Sequence, residues 1–481
     1  MKILFAASEA VPFAKTGGLA DVAGSLPPAL GARGHDVRLV MPRYGSIDPD
    51  RFGLKRVASF FVPLGSWRER CEVLQGSLDE NVIAYFISQD TYFDRPELYQ
   101  NRQGDFPDNA ERFTFFSRAI LELCRTLNFA PDIVHTNDWQ TGLASFYFST
   151  LYRGSPPFMR TKTVFTVHNL GYQGNFPRED MRYIGDAWNH FNPEGFEFWG
   201  DISFLKAGLV YSDVITTVSR TYSREIQTEE FGFGLEGVLA RRAPDLYGIV
   251  NGIDYGAWDP AGDQAITRRY SAARPGGKAL CRDDLRKRAG LPADGGPVIA
   301  MVSRLVDQKG FDILTDALPD ILDMGVQFIV LGTGDERYER LLSDAAERYP
   351  EQVRVLLRYD EQLAKIIYAG CDLFVMPSLY EPCGLGQLIA LRYGAVPVAR
   401  RTGGLADTIR DYDEGPARGT GFLFNDYSAL ALTDAIRRAV EVFSEPKAWR
   451  RLVRSGMQQD FSWESSAREY EKVYRKALRK K

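Results

Sequence analysis

Along the chain, short apolar runs alternate with longer stretches whose apolar residues recur at helical spacing. In the first half, strands are expected at 3–7, 37–41, 133–135, 163–167, 214–218 and 248–250, and helices at 18–30, 110–127, 140–150 and 220–228. A stretch at 261–278, rich in Ala, Gly, Arg and polar residues, breaks the pattern. A charged helix is expected at 282–289. The alternation then restarts, with strands expected at 297–302, 327–331, 353–357, 373–376, 395–399 and 421–424. Residues 462–481 read as a charged helix able to pack on either half. Strands alternating with helices imply parallel sheets. The expectation is therefore an α/β protein of two domains, 1–260 and 261–461, followed by a C-terminal helix.

Size and composition agree with two domains. A chain of 481 residues exceeds the length at which one core stops growing. The formal net charge of −4 gives no general pull toward nucleic acid or an anionic membrane surface. Five scattered cysteines make no disulfide framework and suit a reducing cytosol. The first apolar stretch ends at Ala7, too short for a signal-peptide core. No run approaches the ~18 apolar residues of a membrane span. A cytoplasmic protein is expected.

The hexapeptide Thr-Gly-Gly-Leu-Ala-Asp occurs twice, at 16–21 and 402–407, each time between a strand and a helix. A Gly pair in that position frees backbone N–H groups to face an anion. Two copies suggest two open sheets, each offering a Gly loop at its carboxyl edge. Lys15 precedes the first copy, where an ammonium can neutralise a phosphate or simply be solvated.

Other strand ends carry chemistry too. Arg304 and Lys309 follow the first strand of the second half; a guanidinium fork and a point charge together suit a diphosphate. Both are expected to be loop residues whose loss costs turnover more than stability. Glu381, in Pro-Ser-Leu-Tyr-Glu-Pro-Cys-Gly, could hold sugar hydroxyls, stabilise an oxocarbenium-like centre, or only cap a helix. His168 ends the strand at 163–167; such a His binds, shuttles protons, or is structural. Asp138 and Trp139 follow the strand at 133–135. An acid beside an indole is a usual sugar contact, though the indole could be core.

Several short patterns are decoys. Gly232-Phe-Gly-Leu-Glu-Gly237 fits the dinucleotide pattern but follows a charged helix rather than a strand. Asp48-Pro-Asp50 and Asp411-Tyr-Asp413 match a two-acid metal pattern too short to weigh. No Walker A loop, GxSxG elbow, HExxH or paired CxxC is present.

Taken together, these segments resemble the bacterial glycogen synthases and plant starch synthases. The resemblance rests on 15–22 (KTGGLADV), 92–98 (YFDRPEL), 135–139, 168–174 (HNLGYQG), 206–218, 230–239 (EFGFGLEGVL), 251–254 (NGID), 303–310, 332–335, 377–385 and 401–408, which keep the family's order over nearly the whole chain. Two departures stand out. Broader retaining families carry a second Glu eight positions after the first; here that position is Ile389, with Gln387 the nearest polar residue, as is usual in this branch. Gly386 stands where the branch often has Thr or Ser.

The resemblance implies two facing Rossmann-like domains of GT-B architecture with the active site in the cleft between them. It implies transfer of glucose from ADP-glucose to the non-reducing end of an α-1,4-glucan, with retention, and with no metal or organic cofactor. Lys15, Arg304 and Lys309 would stabilise charge on the leaving diphosphate. The loops at Gly17, Gly18, Cys383, Gly384, Leu385, Thr402, Gly403 and Gly404 would bind the donor. Tyr359 would stack on adenine, and Asn251 and Asp21 would add contacts. His168 and Glu381 would hold the glucose ring, with Asp138 near the acceptor. With phosphate ligands expected from both halves, the domains would close on the donor, with 261–278 as a candidate hinge and a second crossing near Ser462 able to share the motion. Three alternatives stay open at this stage: a UDP-glucose-using α-glucosyltransferase, a catalytically silent glycan-binding protein, and a pyridoxal-phosphate glucan phosphorylase. Oligomeric state has no signature in the sequence.

Overall fold

The computed structural model describes residues 1–101 and 103–480, and the chain divides into two compact units. The first comprises Met1–Val218, Ser223–Ile249 and Trp463–Lys481; the second, Ser219–Tyr222 and Val250–Ser462. Each has its own apolar core.

The first unit is built on a nine-stranded sheet. Seven strands run parallel, in the order Leu246–Gly248, Val214–Thr217, Lys162–Val167, Ile133–Asn137, Lys2–Ala6, Asp36–Pro42 and Val82–Ser88. Two antiparallel strands, Trp67–Asp79 and Lys55–Leu64, complete the edge. The sheet is thus mixed rather than purely parallel. The hairpin is absent from the expected strands: residues 60–64 are an apolar run, but Trp67–Asp79 mixes buried residues with exposed charges such as Arg68 and Arg70, the pattern of a half-solvated antiparallel pair.

The second unit has six parallel strands in the order Val353–Leu356, Gln327–Leu331, Val298–Val302, Leu373–Met376, Val396–Arg400 and Phe422–Phe424. These strands are largely buried and read as near-continuous apolar runs, as helix-covered parallel sheets must.

The stretch at 261–278, expected as a hinge, lies inside the second unit and is tied down there. Tyr270 donates its hydroxyl to the Tyr393 carbonyl at 2.7 Å, and Lys278 Nζ donates to the carbonyls of Tyr368, Ala369 and Tyr393 at 3.1–3.3 Å. The polar composition that suggested a linker satisfies backbone carbonyls instead. The C-terminal helix Trp463–Arg479 packs on the first unit. There Tyr474 bonds His135 Nδ1 at 2.8 Å and Glu471 receives Arg33 Nε at 2.6 Å. No helix among the described residues is long and apolar enough to cross a membrane. All five cysteines are buried thiols.

Candidate functional site

In the first unit, Lys2–Ala6 is flanked by Ile133–Asn137 on one side and Asp36–Pro42 on the other. Chain connections leave in opposite directions at this point, so the loops after the strands diverge and open a crevice, the usual ligand position in such sheets. The loop after Lys2–Ala6 carries Glu9, Lys15 and the first Gly pair; Asp138 follows Ile133–Asn137 and His168 follows Lys162–Val167.

The first Gly loop folds around an anion supplied by the chain. Buried Glu9 accepts from the Thr16 N–H, from Thr16 Oγ1 at 2.9 Å and, more weakly, from Gly17 N at 3.4 Å. Burial raises the Glu9 carboxyl above its ordinary value, against the lowering effect of these bonds. So part of the donor set expected to face an external phosphate is already engaged. Lys15 lies on the same loop, partly exposed, with Nζ 2.7 Å from Asp21 Oδ1. The helix Gly18–Gly31 starts directly after. Glu9 was not singled out from the sequence; the only signal was an acid just past a strand end.

Asp138 holds a left-handed backbone, with φ +55°, a strain of about 1–3 kcal/mol for a residue with a side chain. Its Oδ1 accepts the His168 N–H at 2.7 Å. Removal from water pushes the Asp138 carboxyl up to about 7, the Glu9 charge adds to this, and the N–H groups of His168 and Asn169 oppose it. Asn137 Nδ2 donates to the Ala6 carbonyl at 3.0 Å, which turns Oδ1 toward His168. His168 Nε2 therefore donates to Oδ1 at 2.9 Å, and Nδ1 keeps the lone pair. Burial pushes His168 down to about 3, so it is neutral at ordinary pH and acts as a hydrogen-bond acceptor.

Trp139 is packed rather than an open platform. Its ring meets Phe113 edge-on at 4.9 Å and lies 5.5 Å from Phe176. A Cβ on Gly174 would fall 2.5 Å from that ring, which accounts for Gly at the end of the His168 loop. The segment at 92–98 is also architectural: buried Arg112 donates to the carbonyls of Tyr92 and Leu98 at 2.7 and 3.1 Å.

In the second unit the order reverses between Val298–Val302 and Leu373–Met376. Their loops carry Arg304 and Lys309, and Glu381. The loops are zipped together: Leu379 N donates to the Gln308 carbonyl at 2.9 Å, and Gln308 Nε2 to the Tyr380 carbonyl at 3.2 Å. Gly310, at φ +76°, lies so close that a Cβ would sit 2.0 Å from the Pro377 carbonyl. This brings Lys309 Nζ to 2.9 and 2.6 Å from the two Glu381 oxygens, and Ser378 Oγ donates to Oε2 at 2.9 Å. Glu381 is buried, and Arg304 is exposed. The two basic residues expected to act alike thus have different settings.

The second Gly pair also packs against backbone. At Gly403, φ +43°, a Cβ would lie 1.9 Å from the Glu381 carbonyl, and at Gly404 2.0 Å from the Cys383 carbonyl. Gly404 N donates to the Glu381 carbonyl at 3.0 Å, so this N–H is likewise engaged within the protein. Thr402 is buried. Gly384 takes φ +73° ahead of Leu385, which starts the helix Gly386–Arg392. Gln387 is a staple: its Nε2 donates to the Cys383 and Gly384 carbonyls, both at 2.9 Å. Asn251 is buried beside Cys383, its N–H facing the thiol, which burial pushes up to about 12. Tyr359 is 79% exposed.

The decoys resolve as expected from context. The 232–237 segment leads into the helix Glu236–Arg241 with no strand before it. Asp411 and Asp413 face Arg438.

Comparison with known proteins places the whole chain. Residues 2–241 match the family profile described as the starch synthase catalytic domain, and residues 283–454 that of the glycosyl transferases group 1. The chain is 48% identical over 480 residues to the glycogen synthase of Syntrophotalea carbinolica, covering 99% of each. It is 46% identical to that of Desulforudis audaxviator, covering all of this chain and 97% of the relative. Among solved structures, the catalytic domain of starch synthase IV from Arabidopsis thaliana, bound to ADP and acarbose, superposes with a TM-score of 0.91 at 33% identity, covering 100% of this chain and 99% of that one. A sucrose-phosphate synthase from Thermosynechococcus elongatus, at 19% identity and TM-score 0.61, shares the fold. The chain belongs to the starch synthase and glycogen synthase family of GT-B glycosyltransferases.

Proposed function

We propose that the protein transfers glucose from ADP-glucose to the non-reducing end of an α-1,4-glucan with retention of configuration. The observation that carries this reading is the likeness over the whole chain to a starch synthase that holds ADP and acarbose. ADP is the leaving group an ADP-sugar donor would release.

As the donor bond breaks, negative charge grows on the distal phosphate and positive charge on the sugar. Arg304, Lys15 and Lys309 are assigned the phosphates, with the loops at Gly17, Gly18, Cys383, Gly384, Leu385, Thr402, Gly403 and Gly404 shaping their seat. Lys309 commits two of its three N–H donors to Glu381, which leaves one for a phosphate oxygen. Glu381, held by Lys309 and Ser378, is set to face the developing positive charge. Neutral His168 offers Nδ1 to a sugar hydroxyl, and Asp138 is assigned the acceptor side. Tyr359 is assigned the adenine; Asn251 and Asp21 contribute at the edges.

Charge neutralisation by three cationic side chains leaves no step that calls for a metal or an organic cofactor. A cytoplasmic location is assigned on the five buried thiols, which suit a reducing compartment.

The test is nucleotide release and glucan growth with ADP-glucose and UDP-glucose side by side, with and without EDTA. Growth with ADP-glucose that EDTA does not affect is expected. Preference for UDP-glucose would move the donor assignment. No transfer from either donor would leave a glycan-binding protein.

A further inference from the structure

Gln387 lies on the helix Gly386–Arg392 with its side chain fully buried. Its amide nitrogen faces three oxygens: the carbonyls of Cys383 and Gly384, both at 2.9 Å, and Thr408 Oγ1 at 3.2 Å. A carbonyl oxygen cannot donate, so Nε2 must point at this cluster and Oε1 away from it. Oε1 is left buried with no hydrogen-bond partner among the described residues. A methionine would fill the same space with no orphaned oxygen. An amide kept at that cost is explained by what its N–H groups hold.

They hold the back of the loop after Glu381. A trans peptide unit is planar, with its C=O and N–H on opposite sides. The Cys383 carbonyl shares its unit with the Gly384 N–H, and the Gly384 carbonyl with the Leu385 N–H. With both carbonyls drawn to Gln387, both N–H groups turn to the other side of the loop, and neither has an acceptor among the described residues. Gly384, at φ +73°, is left-handed and Leu385 right-handed, the alternation that aims successive N–H groups at one anion. The second arm of Gln387 reaches the second Gly pair. Thr408 spends its own hydrogen on the Gly404 carbonyl at 2.6 Å, so it accepts from Gln387. The Gly404 N–H in turn donates to the Glu381 carbonyl at 3.0 Å. One amide thereby ties the loop at 383–385, the second Gly pair and the backbone of Glu381 together. Gly386 adds no side chain to this loop; a Cβ there would meet the Phe374 ring at 3.1 Å.

We propose that Gln387 is a positioning residue for the transfer step. From behind the loop it fixes the Gly384 and Leu385 N–H groups toward the leaving diphosphate, and through Thr408 it keeps them in register with Glu381. The proposal rests on the glucosyltransferase reading above. Gln387 itself touches no substrate; its effect is to spare the loop any rearrangement as charge grows on the distal phosphate.

The test uses Gln387→Met, which keeps length and volume, removes the donors and leaves no orphaned oxygen. Its kcat with ADP-glucose is expected to fall roughly a hundredfold, the scale of misplaced donors at a developing charge. ADP titrated alone should bind about tenfold more weakly, as for one or two lost hydrogen bonds. The KM for glycogen stays unchanged, and melting shifts little because packing volume is retained. Thr408→Val, which cuts only the arm to the second Gly pair, should lose less in the same direction, and decides the question alone if Gln387→Met does not fold. Wild-type kcat and ADP affinity in the variant, whether or not melting falls, make Gln387 a packing residue and overturn the proposal. A rise in glycogen KM that accounts for the lost activity, with kcat intact, overturns it too. If wild type binds ADP but transfers nothing, and the variant binds ADP more weakly, the positioning role stands and the transferase reading fails. A wild type that binds no ADP overturns both.

Discussion

Lys309 Nζ lies 2.9 and 2.6 Å from the two oxygens of Glu381, although the residues are 72 positions apart. The pair is mostly shielded from water, at 18% and 6% side-chain exposure. Removing one partner of such a pair costs about 3–5 kcal/mol, because the other charge is left buried and uncompensated. Lys309→Ala should therefore lower the melting temperature by several degrees as well as turnover, unlike the expectation from the sequence. Arg304→Ala, at an exposed position, should lower turnover with melting unchanged. Calorimetry and initial rates on both variants check this; equal melting would mean the pair is weak in solution.

Glu381→Gln keeps shape and removes charge. Turnover should fall steeply while the KM for donor holds or drops, since Lys309 is released to the phosphate. A raised donor KM with normal saturated rate would assign Glu381 to ground-state binding.

Lys15→Ala should cost about 1.5–3 kcal/mol of transition-state binding, or roughly one to two decades in the donor's kcat/KM. The exposed Lys15–Asp21 pair contributes only about 0–1 kcal/mol to stability, so melting should barely change. Wild-type donor kinetics would remove Lys15 from the phosphate site.

Asp138 titrates at about 7 in the folded chain, raised from its usual 3.8. The folded state then binds the proton more tightly than the unfolded state does. The resulting stability is fully present below about pH 4 and is lost as pH rises through 7. Asp138→Asn removes this slope. Melting curves of both proteins between pH 4 and 8 should diverge with rising pH, the wild type losing more; parallel curves would show that the carboxyl titrates elsewhere.

Gly403→Ala places a methyl where the Glu381 carbonyl lies, at a positive φ. The loop carrying Glu381 must move, so stability and turnover should fall together. Normal activity with normal melting would show that the loop yields without displacing Glu381.

The sheet of the second unit was legible because buried parallel strands are near-continuous apolar runs, each ending at a loop. The hairpin from Lys55 to Asp79 was not, because its second strand is broken up by charges on a half-solvated face. Strand ends likewise pointed to Lys15, Asp138, His168, Arg304, Lys309 and Glu381, since loops at the carboxyl edge of such sheets gather polar residues.

What each of those residues does depends on atoms far away in the chain. The repeated Gly pairs read as two anion loops; in the fold one wraps the chain's own Glu9, and the other lets backbone pass against Glu381 and Cys383. The tautomer of His168 depends on Asn137, and the partner of Lys309 on a loop 72 residues later. The positions of buried strands and the family pattern are local or collinear properties, so they can be read along the chain. Pairing and burial arise from packing between segments, and local composition carries no record of which segment will arrive.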